Sequence, residues 1–157
     1  MKIQLITIGK TDDKNLIQLI QTYEKRIKHY ISFEIITIPD LKKGKNMSEE
    51  IQKKREGELI LKHIAPRDDV ILLDEKGKSF TSESFADFIQ KKMNSGLKNL
   101  IFVIGGPYGF SPEVYKSATD KLSLSAMTFS HQMVRLFFIE QLYRSFTILN
   151  NEPYHHR

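Results

Sequence analysis

The 157-residue sequence predicts one α/β domain: a mostly parallel sheet of five strands, flanked by helices on both faces. Three observations carry this prediction. Apolar runs of strand length alternate along the chain with segments whose apolar residues recur every three or four positions. Two of the strand runs are apolar throughout, as in strands covered on both sides. No linker, internal repeat or low-complexity stretch divides the chain, so residues 1–157 read as a single domain, long enough to bury a real core.

Taken in order, Lys2–Ile8 carries Ile3, Leu5, Ile6 and Ile8 and stops at Gly9, a strand followed by a turn. From Asp12 to His29, residues Leu16, Ile17, Ile20, Tyr23 and Ile27 have helical spacing. Phe33–Ile38 is a second apolar run ended by Pro39. The stretch from Asp40 to Met47, DLKKGKNM, is basic and reads as an exposed loop. Asn46 with Glu49 three residues on predicts a helix start, and the charged, weakly amphipathic helix runs to about Ile64. Val70–Leu73 is a short buried strand. Phe85, Phe88, Ile89 and Met93 mark the next helix, and Gly96 its end. Leu100–Ile104 is wholly apolar and runs into Gly105-Gly106-Pro107. Ser111 as N-cap and Pro112 at the first helical position begin a further helix. Lys121–Leu124 is the last strand, and His131–Leu149 the last helix.

Ligands of such sheets bind beyond the carboxyl ends of the strands. Three of those ends carry unusual residues: Leu73-Asp74, Gly105-Gly106-Pro107 and Leu124–Phe129. IGGPYGF at 104–110 is not the dinucleotide fingerprint, because position 107 is Pro, and Gly77-Lys78-Ser79 lacks the upstream Gly of a phosphate loop. An NAD- or ATP-dependent enzyme is therefore disfavoured. The loop at 122–129 mixes Ser123, Ser125, Ala126 and Thr128 with apolar residues; it suits either a ligand's edge or a capped surface turn. His131 and Arg135 lie four apart on one helical face at the start of the last helix. Glu140 and Arg144 have the same spacing and read as a surface pair. The tail NNEPYHHR either frays or stacks on a nucleic-acid base.

Composition narrows the classes. No run approaches the ~18 apolar residues of a membrane span. MKIQLITIGK is too short and strand-like for a secretory signal. There is no Cys, hence no disulfide or thiolate, and no spacing of His with carboxylates that suits a metal. These features point to the cytoplasm. The net charge of +5 suits a polyanionic partner without requiring one.

Several segments together carry a resemblance: MKIQLITIGK, TYEKRI at 22–27, GKN at 44–46, KKREGELIL at 53–61, LLDEKGK at 72–78, FVIGGPYGF at 102–110, LSLSAMTFSHQMVRLFFIEQLYRSF and the closing PYHHR. Along its full length the chain resembles the ribosomal large-subunit methyltransferase H family, a minimal member of the SPOUT class. The resemblance implies an α/β fold with a C-terminal deep trefoil knot, a homodimer, and S-adenosylmethionine as cofactor. It implies methylation of N3 of a pseudouridine in the helix 69 stem-loop of 23S rRNA, within the assembled 70S ribosome. It places Leu73, Gly105, Leu124, Ser125, Ala126, Met127, Thr128 and Phe129 at the cofactor. His131, Arg135, Arg144 and His155 become catalytic candidates, the cations to stabilise an imidate and one histidine as base. Tyr143 and Tyr154 fall on the substrate side, and Lys42, Lys43 and Lys45, with Lys53, Lys54 and Arg55, are candidate phosphate contacts. Ser130 stands where many relatives have Pro, which would loosen the entry to the last helix. The alternatives are a ribosome- or RNA-binding protein that keeps the fold without catalysis, and a SPOUT methyltransferase acting on tRNA.

Overall fold

The computed structural model describes residues 1–42 and 47–156. Its elements follow the predicted order: β1 (Lys2–Ile8), α1 (Lys14–Ile27), β2 (Ser32–Ile38), α2 (Glu49–Leu61), β3 (Asp69–Ser79), α3 (Ser82–Asn94), β4 (Asn99–Ile104), α4 (Pro112–Ser117), β5 (Asp120–Ser123) and α5 (His131–Leu149). The strands form one parallel sheet in the order β2-β1-β4-β3-β5.

Strand alternation divides the core into two layers. Ile3, Leu5, Ile71, Leu100, Phe102 and Ile104 face α1, α3 and α5 through Ile20, Ile27, Phe85, Ile89, Phe138, Leu142 and Phe146. Ile6, Ile8, Val70, Leu72, Ile101 and Val103 face the other way, onto Ile60 of α2 and Val114 of α4. The central strands β1, β3 and β4 therefore hold consecutive fully buried residues such as Leu100, Ile101, Phe102 and Val103. That is the reason their sequences are continuous in apolar residues rather than alternating. No helix among the described residues is long and apolar enough to cross a membrane.

Caps fix most helix starts. The Asp13 carboxylate accepts the Asn15 and Leu16 N–H groups (2.8 and 3.0 Å), and Thr81 and Ser84 form a reciprocal capping box. Ser111 caps α4 with Pro112 behind it, as predicted. Two caps differ from expectation, although α5 has its expected bounds. The cap of α2 is Ser48, whose hydroxyl accepts the Ile51 N–H (3.2 Å); Asn46 lies outside the described residues. The cap of α5 is Ser130, accepting from Met133 N–H (3.3 Å). Serine at that position thus secures the helix entry instead of loosening it.

The larger departure is β3. It runs on past Leu73 to Ser79 and pairs with β5 a second time, so that Leu122 is the partner of both Leu73 and Lys78. The polar residues 74–79 thereby cross against β5. Gly77 makes the crossing possible: a Cβ there would lie 2.6 Å from the Leu122 N and C atoms and the Lys121 carbonyl carbon. Those neighbours are backbone and cannot rotate away.

Gly77→Ala should therefore lose more than ~2 kcal/mol of stability in urea unfolding, if it folds at all. Gly96→Ala meets no neighbour within 4 Å and has only its positive φ (+76°) to strain it, so its loss should be about 1 kcal/mol. Equal, small losses in both variants would mean that the crossing is not tight.

Candidate functional site

At the carboxyl ends of β3, β4 and β5 the chain leaves a cleft of about 470 Å³. Four segments build it: Leu73–Lys76 as β3 crosses β5, the glycine loop Gly105–Phe110 after β4, the loop Leu122–Phe129 after β5, and His131 with Val134 from the first turn of α5. Its volume lies in the range of small-molecule sites. All eight residues expected at the cofactor line this cleft: Leu73, Gly105, Leu124, Ser125, Ala126, Met127, Thr128 and Phe129.

Local hydrogen bonds shape the two loops. The Ser125 hydroxyl accepts the Met127 N–H (2.9 Å), and Ser123 Oγ donates to the Ser125 carbonyl (3.1 Å). Each satisfies its own backbone and leaves Ala126, Met127, Thr128 and Phe129 exposed. The glycine loop closes through Gly109 N–H to the Gly106 carbonyl (3.2 Å). Behind it stands Glu56 of α2, only 3% exposed. A Cβ at residue 106 would lie 2.4 Å from Glu56 Oε2. Glu56 Oε1 accepts from Gln52 Nε2 (3.0 Å), whereas Oε2 has no hydrogen-bond partner among the described residues. Next to it, Gly57 brings α2 against Ser111, whose Oγ would be 2.4 Å from a Cβ there. Glu56 and Gly57 thus set the height of the glycine loop. The sequence signal for them was the Glu-Gly pair inside an otherwise helical stretch.

Asp74 is a further cleft residue to which spacing gave no role. Its Oδ1 accepts the Lys76 N–H (2.8 Å), and its Oδ2 accepts the Tyr115 hydroxyl. Burial, and then the Asp74 carboxylate, push the Tyr115 phenol up to about 12.

The four catalytic candidates do not come together in one chain. His131 is exposed at the cleft. Arg135, one turn on, points instead into the end of β1. It is 5% exposed, its Nη2 donates to the Ile8 carbonyl (2.6 Å) and its Nη1 to Thr11 Oγ1 (3.0 Å). Burial lowers its pKa, opposed by the Asp40 and Asp12 carboxylates. Together with Gln132, which accepts the Asp12 N–H (3.0 Å), Arg135 ties the β1–α1 turn to α5. The shared helical face of His131 and Arg135 is correct, but the second residue is one turn deeper and is occupied in holding the fold.

Arg144 and His155 lie at the far end of α5. Thirteen residues separate His131 from Arg144 on one helix, about 20 Å at ~1.5 Å per residue. There Arg144 Nη2 pairs with Glu140 (2.5 Å), Nη1 meets His155 Nδ1 (3.3 Å), and the guanidinium covers the Tyr154 ring at 4.8 Å. Glu140 holds Arg144 firmly cationic. This pair is not the solvated surface pair its spacing suggested: its side chains are 24% and 18% exposed. Tyr154 donates to Glu140 Oε1 (2.9 Å), meets the Tyr23 hydroxyl (3.2 Å) and packs on Tyr143 (4.8 Å between rings). Tyr30 donates to Glu152 (2.7 Å). The tail as far as His155 is therefore docked along α5 and α1 rather than frayed.

Among the basic candidates, Lys42, Lys54 and Arg55 are exposed and Lys53 pairs with Glu50 (2.9 Å). Lys43 and Lys45 lie outside the described residues. Among the described residues no group of three or more His, Asp or Glu is arranged to hold a metal ion.

The comparisons with known proteins agree along the whole chain. A family model described as "Predicted SPOUT methyltransferase" matches residues 1–155. Proteins named "Ribosomal RNA large subunit methyltransferase H" from Christiangramia forsetii and Flavobacterium psychrophilum are 68% and 66% identical, covering 100% of this chain and of each relative. One of the same name from Parabacteroides distasonis is 61% identical over 99% of both chains.

The docked tail has a pH signature. Tyr30 is pushed up to about 12 by burial and by Glu152, and Tyr115 to about 12 as above. Both phenols are neutral in the folded state above the pH at which an unfolded tyrosine ionises. Their contribution to stability is thus complete below about pH 10 and lost as pH rises toward 12. The chain has six Tyr and no Trp, so tyrosinate absorbance reads this directly. The native protein should ionise part of its tyrosines late, and Tyr30→Phe should remove one late component; a single ordinary transition near pH 10 would contradict it.

Proposed function

The chain belongs to the SPOUT methyltransferase family, and from that premise we propose that it is a ribosomal RNA methyltransferase that uses S-adenosylmethionine. We further propose N3 of a pseudouridine as the acceptor, in helix 69 of 23S rRNA within the assembled ribosome. The observation that carries the reading is the cleft itself: the strand-end loops 73–76, 105–110 and 122–129 converge on one volume with His131 at its rim.

The lining fits the cofactor. Gly105 and the 124–128 loop would meet the adenine edge, while Leu73, Ile104, Leu124 and Val134 offer apolar walls. Bound there, S-adenosylmethionine would supply an electrophilic methyl group on its sulfonium. The chain's own work is then alignment and proton removal. Alignment by the two loops is worth ~7–11 kcal/mol when the geometry is near attack. His131, exposed at the rim, is placed to take the imide proton of the acceptor. Arg144, held cationic by Glu140 and touching His155, suits the negative charge that develops on the base. Arg135, whose two Nη atoms hold Thr11 and Ile8 while its buried Nε has no partner among the described residues, is assigned no chemical step.

Arg144 and His155 are too far along α5 to act at the cleft of their own chain, and this supports a homodimer in which one protomer supplies the cleft and its partner the Arg144 cluster. The exposed apolar residues around the cleft favour a covering partner: Met127 is 76% exposed, and Phe129 and Phe137 pair at 5.0 Å between rings while each is 37% exposed. The C-terminal trefoil knot belongs to the same proposal, supported by the passage of residues 74–79 across β5. Tyr143 and Tyr154 would flank the substrate, and Lys42, Lys43 and Lys45 would meet phosphates, so binding to ribosomes should weaken steeply with salt.

The test is transfer of labelled methyl from S-adenosylmethionine to ribosomes that lack this modification, with and without the pseudouridine, beside free rRNA and tRNA. Label confined to pseudouridine-bearing ribosomes is expected; label in tRNA alone would overturn the substrate. Arg144→Ala should cut turnover ~10²–10³-fold with little change in cofactor affinity. Mixing Arg144→Ala protein with a variant defective only at the cleft should restore roughly a quarter of wild-type activity, because half the re-formed dimers regain one intact site. No recovery on mixing would place both halves of the site in one chain.

A further inference from the structure

We propose that the Asp74 carboxylate, fixed by Tyr115, is the group by which the cleft prefers the positively charged methyl donor over its uncharged product. The inference rests on the methyl-transfer reading above. Asp74 follows Leu73 directly, at the point where β3 parts from β4, and it lines the cleft. Two hydrogen bonds hold it from opposite sides, the Lys76 N–H on Oδ1 and the Tyr115 hydroxyl on Oδ2. An ionised carboxylate has about four acceptor positions, so both oxygens keep capacity toward the cleft.

Tyr115 is itself held in place. Its ring stands edge-on to Phe110, 5.8 Å between centroids, and the Lys121 ammonium lies 5.7 Å from its ring centroid. Both Asp74 and Tyr115 also line a second hollow, with Thr119, Asp120 and Lys121. The phenol–carboxylate pair is thus shared by the two hollows, and its hydrogen bond ties α4, which carries Tyr115, to β3. Glu75 adds a second carboxylate to the cleft, against Lys76 and His131 as its basic side chains.

The reaction supplies a reason. Methyl transfer moves the methyl carbon from sulfur to the acceptor nitrogen; the sulfur keeps the electron pair of the broken bond and becomes a neutral thioether. The nitrogen's proton leaves to the base. The bound small molecule therefore loses one unit of positive charge while its adenosine and amino-acid portions are unchanged. A fixed carboxylate in the cleft attracts the reactant form more than the product form, which favours exchange of product for fresh donor. A carboxylate that merely bound the ribose hydroxyls would treat the two alike.

Calorimetric titration of the full chain with S-adenosylmethionine and with S-adenosylhomocysteine separates these cases. Asp74→Asn keeps the Oδ1 acceptor for Lys76 and removes the charge. It should weaken the donor about tenfold and the product by less than about twofold, the size expected of one partly screened charge pair. Tyr115→Phe, which retains the charge but frees the carboxylate, should weaken the donor about threefold with the same bias. Thermal melting checks that each variant is folded, and if Asp74→Asn is not, Tyr115→Phe decides. Equal losses for both ligands, or no loss, would overturn the inference while leaving the methyl-transfer reading intact. Wild-type protein that binds neither ligand would remove that reading, and the inference with it.

Discussion

The contact on which the rest of the structure depends is the second pairing of β3 with β5. Leu122 is held by Leu73 on one pass and by Lys78 on the next, and Gly77 lies against the backbone of Lys121 and Leu122. This crossing turns an open sheet edge into one wall of a cleft. It sends residues 124–129 out across the strand ends, opposite the glycine loop after β4, and delivers α5 onto the face shared with α1 and α3. Each later feature inherits its position from there. Small residues are required at the crossing because two backbones meet, and polar residues suffice for it because its strength comes from main-chain hydrogen bonds.

Helix α5 joins two polar centres that differ in kind. Its first turn faces the cleft with His131 and is anchored by Gln132 and Arg135 to the β1–α1 turn. Its last turns carry Glu140, Tyr143 and Arg144, over which the tail folds back with Tyr154 and His155. Between them the helix is buried through Phe138, Ile139 and Leu142. The helix is thus a rigid spacer, and a site that needs both ends has to be completed by another copy.

The sheet and its order of elements were legible in the sequence because burial on both faces leaves continuous apolar strands such as 100–104. The crossing was not, because residues 74–79 are polar and mostly exposed, and their strand character comes from a partner distant in sequence. Helical spacing put His131 and Arg135 on one face correctly, yet depth decides their roles, and periodicity carries no depth. Glu140 and Arg144 read as a surface pair for the same reason: the tail that covers them returns from beyond the helix. The cleft residues 73, 105 and 124–129 were identified through family resemblance, and the cleft brings all of them together. Asp74 stood out only as part of a strand end, Glu56 only through the glycine after it and Tyr115 not at all, because each matters through contacts made across the fold.

The central claim is that one cleft holds the methyl donor and a second copy supplies the cationic cluster that faces it. A crystal structure of the protein with S-adenosylhomocysteine tests it most directly. The account predicts the ligand between the 105–110 and 122–129 loops, with Arg144 and His155 of a symmetry-related copy across from it. A ligand bound elsewhere, or a cleft open to solvent with every Arg144 remote from it, would contradict the account.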